Sequence, residues 1–265
     1  MKILVTVKEV AEVEDDFEID GLDVASQYLE YDLNEWDEYA IESAVQIKEL
    51  ADEDVEVVTV TIGPERTEET IRMALAKSAD RAVRVWDDAL ADAGLLDVHS
   101  KKAILQAVCE EEDPDLVLSG VQAADDGFGA TGVALADALD FEWAAVVNNL
   151  DYTAGDDVAN VHRELEGGVE ELTEVDLPAV LTIQTGINEP RYASLRGIRQ
   201  AQRKEIATYD LGDLGLDASV AESELELTSM TEPETESDAT IFEGDAGDTA
   251  AELATVLREK GVGAE

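Results

Sequence analysis

The chain has 265 residues, enough to bury one large core and carry an appendage. Its 64 acidic residues against 18 basic ones give a formal net charge of −46, which argues against nucleic-acid binding, because phosphate contacts need a basic footprint. A single cysteine, Cys109, excludes an intrachain disulfide and a Cys-based metal cluster, and neither His99 nor His162 has a ligand-spaced neighbour.

Apolar runs at Ile3–Val7, Val55–Ile62, Ala82–Trp86, Leu116–Leu118 and Ala144–Val147 read as buried strands. Helical segments at Glu35–Leu50, Glu68–Ser78, Val98–Glu110 and Gly132–Leu139 lie between them. In the first helix, Ala40, Ile41, Ala44, Ile47 and Leu50 recur at helical spacing. Val158–Arg163 and Val169–Leu172 flank Glu166-Gly167-Gly168 as a hairpin, and Ala179–Gln184 is a further strand. A loop then leads to a helical Ala193–Lys204. Such alternation predicts an α/β fold, a doubly wound and mainly parallel sheet with helices on both faces. Ligands of such sheets sit at strand carboxyl ends, at a switch in strand order.

From Glu205 the composition changes: no Lys or Arg follows until Arg258. The expected organisation is therefore an α/β domain over 1–209 and an acidic C-terminal arm with a terminal helix over 210–265. Thr249-Ala250-Ala251-Glu252 has the pattern of a capping box opening that helix, with Leu253, Val256 and Leu257 behind it. A helix on an extended arm must pack back on its own domain or onto another subunit.

The start, Met1–Lys8, reads as a first strand rather than a signal peptide. No apolar run reaches the ~18 residues of a membrane helix. A cytoplasmic protein, not membrane-embedded, is expected. Its 45% hydrophobic content argues against disorder despite the acidity. Self-repulsion at this charge would destabilise a compact fold in dilute salt, whereas molar salt cuts the screening length to ~3 Å. The charge thus points to a halophilic setting.

Four segments fall at strand ends or directly before helices. They are the loop beginning near Lys8, Leu33-Asn34-Glu35-Trp36, Ile62-Gly63-Pro64, and the glycine-rich stretch from Gly120 to Gly132. In the last, Thr131 and Gly132 would open a helix whose N–H groups favour phosphate. The spacing is neither a Walker A loop nor a dinucleotide G-x-G-x-x-G. Asp125 and Asp126 read, on their own, as solvated loop acids. The basic segment Asn188–Lys204 is different in kind. Arg191, Arg196, Arg199, Arg203 and Lys204 lie within it, and Arg196, Arg199 and Arg203 share one helix face beside Leu195 and Ile198. It reads as a contact for an acidic partner or a cofactor phosphate, or as an ion-paired helix neutralising nearby acids.

Taken together, several stretches resemble the β subunit of electron-transfer flavoproteins, in a haloarchaeal-type version. They are Lys2–Lys8, Glu68–Ala76, Gln122–Asp126, Arg163–Gly168, Leu177–Val180 and Asn188–Leu195; the last is the most distinctive. The resemblance runs from Met1 to about Gly215 and more loosely through the terminal helix. It implies an adenine-nucleotide α-hydrolase-like fold and a heterodimer with an α subunit, on which the C-terminal arm would pack. It further implies FAD shared with that subunit, and AMP bound by Thr6, Asn34, Glu35, Trp36, Asp37, Ile62, Gln122, Asp125, Gly127, Gly129 and Thr131. Trp36 takes an aromatic position that lies near the flavin in relatives. The recognition loop would be residues 183–205, with Leu195 as apolar anchor and Arg191, Tyr192, Arg196 and Arg199 beside it. Electrons would pass from acyl-CoA or other dehydrogenases, as in fatty acid oxidation, toward a quinone oxidoreductase. No residue need act as acid, base or nucleophile, so an electron carrier rather than an enzyme is implied. Gly129 and Ala130 stand where relatives have Asn and Gln, so a second FAD in place of AMP, with electron bifurcation, stays open. So does a stand-alone nucleotide-binding module.

Overall fold

The computed structural model describes residues 1–232 and 239–262. The chain forms two compact units, Met1–Met230 and Thr231–Glu265. The first is built on β1 (Lys2–Thr6), β2 (Glu9–Val13), β3 (Ile19–Asp20), β4 (Asp23–Val24), β5 (Leu29–Leu33), α1 (Glu35–Leu50), β6 (Glu56–Ile62), α2 (Glu68–Ala76) and β7 (Arg81–Val85). Then follow α3 (Asp88–Asp92), α4 (Val98–Glu112), β8 (Leu116–Gly120), α5 (Thr131–Leu139), β9 (Glu142–Asp151), β10 (Val158–Leu165) and β11 (Val169–Asp176). β12 (Ala179–Ile183), α6 (Leu195–Ala201) and β13 (Ile206–Tyr209) complete it.

Nine strands form one sheet in the order β11-β10-β9-β12-β8-β1-β6-β7-β13. From β9 to β13 every pair is parallel, and β10 and β11 extend the β9 edge as an antiparallel hairpin. The period-two geometry of a strand splits the core between the two faces. Ile3, Val5, Val57, Leu116, Leu118 and Leu181 pack on one face with Ile41, Ala44 and Ile71 of α1 and α2. Leu4, Val58, Val117 and Val180 pack on the other with Ile104, Leu105 and Val108 of α4 and Leu135 of α5. Central strands buried on both faces read as continuous apolar runs, as parallel sheets require. The doubly wound α/β fold is as expected.

Several details differ from the expectation. The loop after β1 holds two small hairpins, β2 with β5 and β3 with β4. Ile206–Tyr209, expected to lie past the change in composition, is an edge strand paired in parallel with β7. Residues 210–230, expected to belong to the arm, fall in the first compact unit. Leu211 and Ala221 are buried among the α4-side core residues, and the Glu224 N–H donates to Asp97 Oδ2 at 2.8 Å. The stretch 233–238 of the expected arm lies outside the described residues.

In the second unit, α7 (Ala246–Glu259) begins before the expected capping box. Asp245 is its N-cap, accepting from the N–H groups of Gly247 at 2.8 Å and Asp248 at 3.1 Å. An Asp four residues upstream of Thr249 meets the exposed first-turn donors and extends the helix by a turn. No residue of α7 is buried, and Leu253 and Leu257 are exposed.

Candidate functional site

In the sheet order, β6 lies on one side of β1 and β8 on the other, so the winding direction reverses between β1 and β8. At the carboxyl ends of these strands opens a cleft of about 370 Å³, within the usual size of small-ligand sites. All four expected strand-end segments contribute to its wall. Thr6, Asn34, Asp37, Ile62, Gln122, Asp125, Gly129 and Thr131 line it, together with Lys8, Arg66 and Lys101. Glu35, Trp36 and Gly127 are not brought into the lining. Glu35 is exposed, and the Trp36 indole Nε1–H instead donates to Gln184 Oε1 at 3.1 Å. Gly127 turns the same loop with φ near +60°, a conformation that costs glycine little.

Two side chains at the start of α1 bind the cleft's backbone together. Asp37 accepts from the Lys8 N–H at 2.8 Å and the Gly120 N–H at 3.0 Å, joining the ends of β1 and β8. Asn34 donates from Nδ2 to the Gln122 carbonyl at 2.9 Å and accepts from the Ala124 N–H at 3.3 Å. Two glycines allow the close approach. A Cβ on Gly120 would lie 2.5 Å from Asp37 Oδ1 and 2.6 Å from Trp36 Cβ; one on Gly132 would lie 2.5 Å from Ser119 Oγ.

Burial pushes the Asp37 carboxyl up to about 7, against the pull of its two backbone donors, Asn34 and the Lys8 charge. The folded state therefore keeps a proton that an unfolded Asp, near 3.8, has released. That proton is lost as pH rises through 7, so stability falls across this window. Between pH 6 and 8 the contribution of Asp37 is a loss of about 1 kcal/mol. Unfolding free energies from denaturant titrations at the two pH values should differ by that amount more in the native protein than in Asp37→Asn, which cannot titrate.

Every basic residue in the lining is already paired. Lys8 Nζ bonds Asp126 at 2.8 Å and also Asp125, Lys101 Nζ bonds Asp126, and Arg66 bonds Glu9 at 2.7 Å. Asp125 and Asp126, read from sequence as solvated acids, thus staple the glycine-rich loop to β1 and α4. Burial opposes ionisation of Asp126, but Lys101 and Lys8 outweigh it and hold its carboxyl below the ordinary range. An anion in this cleft would therefore meet backbone N–H groups rather than a free cation. The first turn of α5 offers them, since its N-cap, Ala130, has no capping side chain. The lining also carries an apolar set, Ile62, Trp86, Leu90, Leu95, Leu96 and Leu105. Only the ends of these strands were legible in the sequence. Arg66, Trp86, Lys101 and the 90–96 wall come from elements whose sequence carries no ligand pattern.

The basic segment divides in two. Arg191 is spent within the fold. Its Nε and Nη2 donate to Glu42 at 2.7 and 3.1 Å, and its Nη1 and Nη2 donate to Glu49 at 2.7 and 2.9 Å. Lys204 donates to the carbonyls of Leu75 at 3.0 Å and Ala79, and Arg72 donates to those of Ala201 at 2.7 Å and Lys204 at 2.8 Å. The Arg191 fork thus matches two carboxylates on α1. Tyr192 and Leu195 point away from the core at 96% and 79% exposure, with Ile198 half-exposed beside them. Arg196 and Arg199 are exposed on the same short helix. That helix, Leu195–Ala201, is shorter than the expected Ala193–Lys204 because Ser194 caps it, accepting from the Gly197 N–H at 3.0 Å.

No helix among the described residues is long and apolar enough to cross a membrane. Residues 21–214 match the family model described as "Electron transfer flavoprotein domain". The chain is 48% identical over 264 residues to the electron transfer flavoprotein subunit beta of Methylophilus methylotrophus, covering 98% of each chain. It is 33% identical over 261 residues to that of Bacillus subtilis (strain 168), again covering 98% of each. To the human subunit it is 36% identical over 237 residues, covering 88% of this chain and 89% of the human one. With relatives aligned almost end to end and the family model spanning most of the α/β unit, the chain belongs to the electron transfer flavoprotein family as a β subunit, an electron-transfer protein rather than an enzyme.

Proposed function

We propose that this chain pairs with an electron-transfer flavoprotein α subunit, holds AMP in the cleft between β1 and β8, and helps bind the FAD carried mainly by its partner. The observation that carries the nucleotide is the cleft's division of labour. An apolar wall from Ile62 to Leu105 suits a flat base, and the uncapped first turn of α5 suits a phosphate. The residues present therefore fit the group, with Asn34 and Asp37 holding the cradle and Thr6, Gln122, Gly129 and Thr131 lining it. FAD, when bound, supplies the redox chemistry, and the protein supplies orientation and electrostatics. Glu35, Trp36 and Gly127 then support the site from outside the cleft.

Tyr192, Leu195, Arg196 and Arg199 form the surface that docks acyl-CoA or other dehydrogenases, from which electrons go on to a quinone oxidoreductase. The terminal helix α7, with no buried residue of its own, packs on the α subunit. The net charge of −46 suits a halophilic cytoplasm, where molar salt screens its self-repulsion.

Denaturing the purified heterodimer and identifying the released cofactors tests the nucleotide assignment. One FAD and one AMP per heterodimer is the expected result. Two FAD would transfer the chain to the bifurcating reading. A ligand-competent monomer without flavin would make it a stand-alone module.

A further inference from the structure

The exposed side chains of the docking loop are carried by a backbone tied down to α1 and to the C-terminal end of α2. Asn188 Nδ2 donates to the Tyr39 carbonyl at 3.0 Å and to Ser43 Oγ at 2.9 Å. The Arg191 guanidinium bridges Glu42 and Glu49, and its own backbone N–H reaches Glu42 at 3.2 Å. The Arg191 carbonyl accepts from Lys77 Nζ at 2.9 Å, and Lys77 pairs with Glu38 at 2.9 Å. Six residues on, α6 is seated so close to α2 that a Cβ on Gly197 would lie 2.5 Å from the Ala76 carbonyl oxygen.

We propose that Arg191 is a positioning residue, whose clamp on Glu42 and Glu49 sets the direction in which Tyr192 and Leu195 are presented before any partner arrives. A planar fork can hold two carboxylates at once, which a lysine ammonium cannot do in the same geometry. Direct contacts of 2.7–3.1 Å leave no room for a screening ion between the partners, whereas steering beyond the ~3 Å screening length of molar salt is lost. A loop fixed in advance loses less freedom on binding, so its partner affinity is higher for the same contacts. Removing the clamp therefore acts on recognition and leaves the transfer step in the bound complex unchanged. This role rests on the docking surface proposed above.

The test uses the full heterodimer in molar KCl with Arg191→Ala and Arg191→Lys. Amide hydrogen exchange over residues 187–195 should quicken by about tenfold or more in Arg191→Ala and less in Arg191→Lys, with β1 and β8 unchanged. With a medium-chain acyl-CoA dehydrogenase as the probe partner, the heterodimer KM should rise about tenfold while kcat is kept. Unchanged exchange across 187–195 overturns the clamp, and so does loosening that spreads equally to β1 and β8. A fall in kcat at constant KM overturns it as well. Leu195→Ala, run in parallel, separates the two proposals. If it leaves the dehydrogenase KM unchanged, the docking surface fails, and the exchange result alone still decides whether Arg191 positions the loop.

Discussion

Gly120→Ala is expected to release the nucleotide proposed for the cleft and to destabilise the fold by about 2–4 kcal/mol. The new methyl carbon would lie 2.5 Å from Asp37 Oδ1, 2.6 Å from Trp36 Cβ and 3.1 Å from the Trp36 carbonyl carbon. The two Trp36 atoms are the backbone and Cβ of a helix residue and cannot swing aside. Either β8 or the first turn of α1 must move. Both movements lengthen the 3.0 Å bond from the Gly120 N–H to Asp37, which leaves a buried carboxyl group short of a donor. Asn34 lies on the same turn and would carry the 122–124 backbone with it. Chemical denaturation and the stoichiometry of nucleotide released from the purified heterodimer would measure the two effects. Gly127→Ala is the control, because nothing lies within 4 Å of its would-be Cβ. Its cost is only that of a left-handed alanine, about 1 kcal/mol. Equal loss in both variants would show that loop conformation, and not the β8–α1 contact, governs the cleft.

Leu195→Ala is expected to slow reduction by a dehydrogenase partner by about tenfold or more in molar salt, with no loss of folding stability. Leu195 is 79% exposed, so its methyl groups contribute nothing to the core. Burying a leucine against a partner is worth about 1.5–3 kcal/mol, which corresponds to tenfold or more in affinity. Arg203→Ala should do less, since at molar ionic strength a solvent-facing charge acts over only ~3 Å. Steady-state KM values for the heterodimer against an acyl-CoA dehydrogenase give the ranking. If Arg203→Ala is the more damaging, recognition is electrostatic and the apolar anchor is mistaken.

The cleft was legible from sequence to the extent that strand ends were. Strand–helix alternation, together with the rule that ligands gather at a switch in strand order, pointed to the loop near Lys8, Asn34, Ile62 and the 120–132 loop; the family resemblance added Thr6 and Asp37, and the fold brings these together. What periodicity could not supply were contributors with no local signature. Lys101 sits in the first turn of α4 with no ligand pattern around it, and its pairing with Asp126 depends on how α4 lies against the loop. The hairpins at 9–33 were missed because their strands are short and interrupted by acids, and such sequences resemble loops. β13 was missed because it follows the change in charge, and edge pairing to β7 leaves little mark in four residues.

By itself, the sequence determined the fold class, the bounds of α1, the hairpin around Gly167 and the clustering of bases near Leu195. Each of these is a local property, set by side-chain period, turn chemistry or charge along the chain. Tertiary structure alone decided which arginines of that cluster are free. Arg191 meets Glu42 and Glu49, more than 140 positions away in sequence, and no one-dimensional pattern reports such a meeting. It also decided that Asp37 is a buried carboxyl group joining two strand ends, because burial is set by what other segments cover. Periodicity is written in neighbours along the chain, whereas pairing and burial are written in neighbours across it.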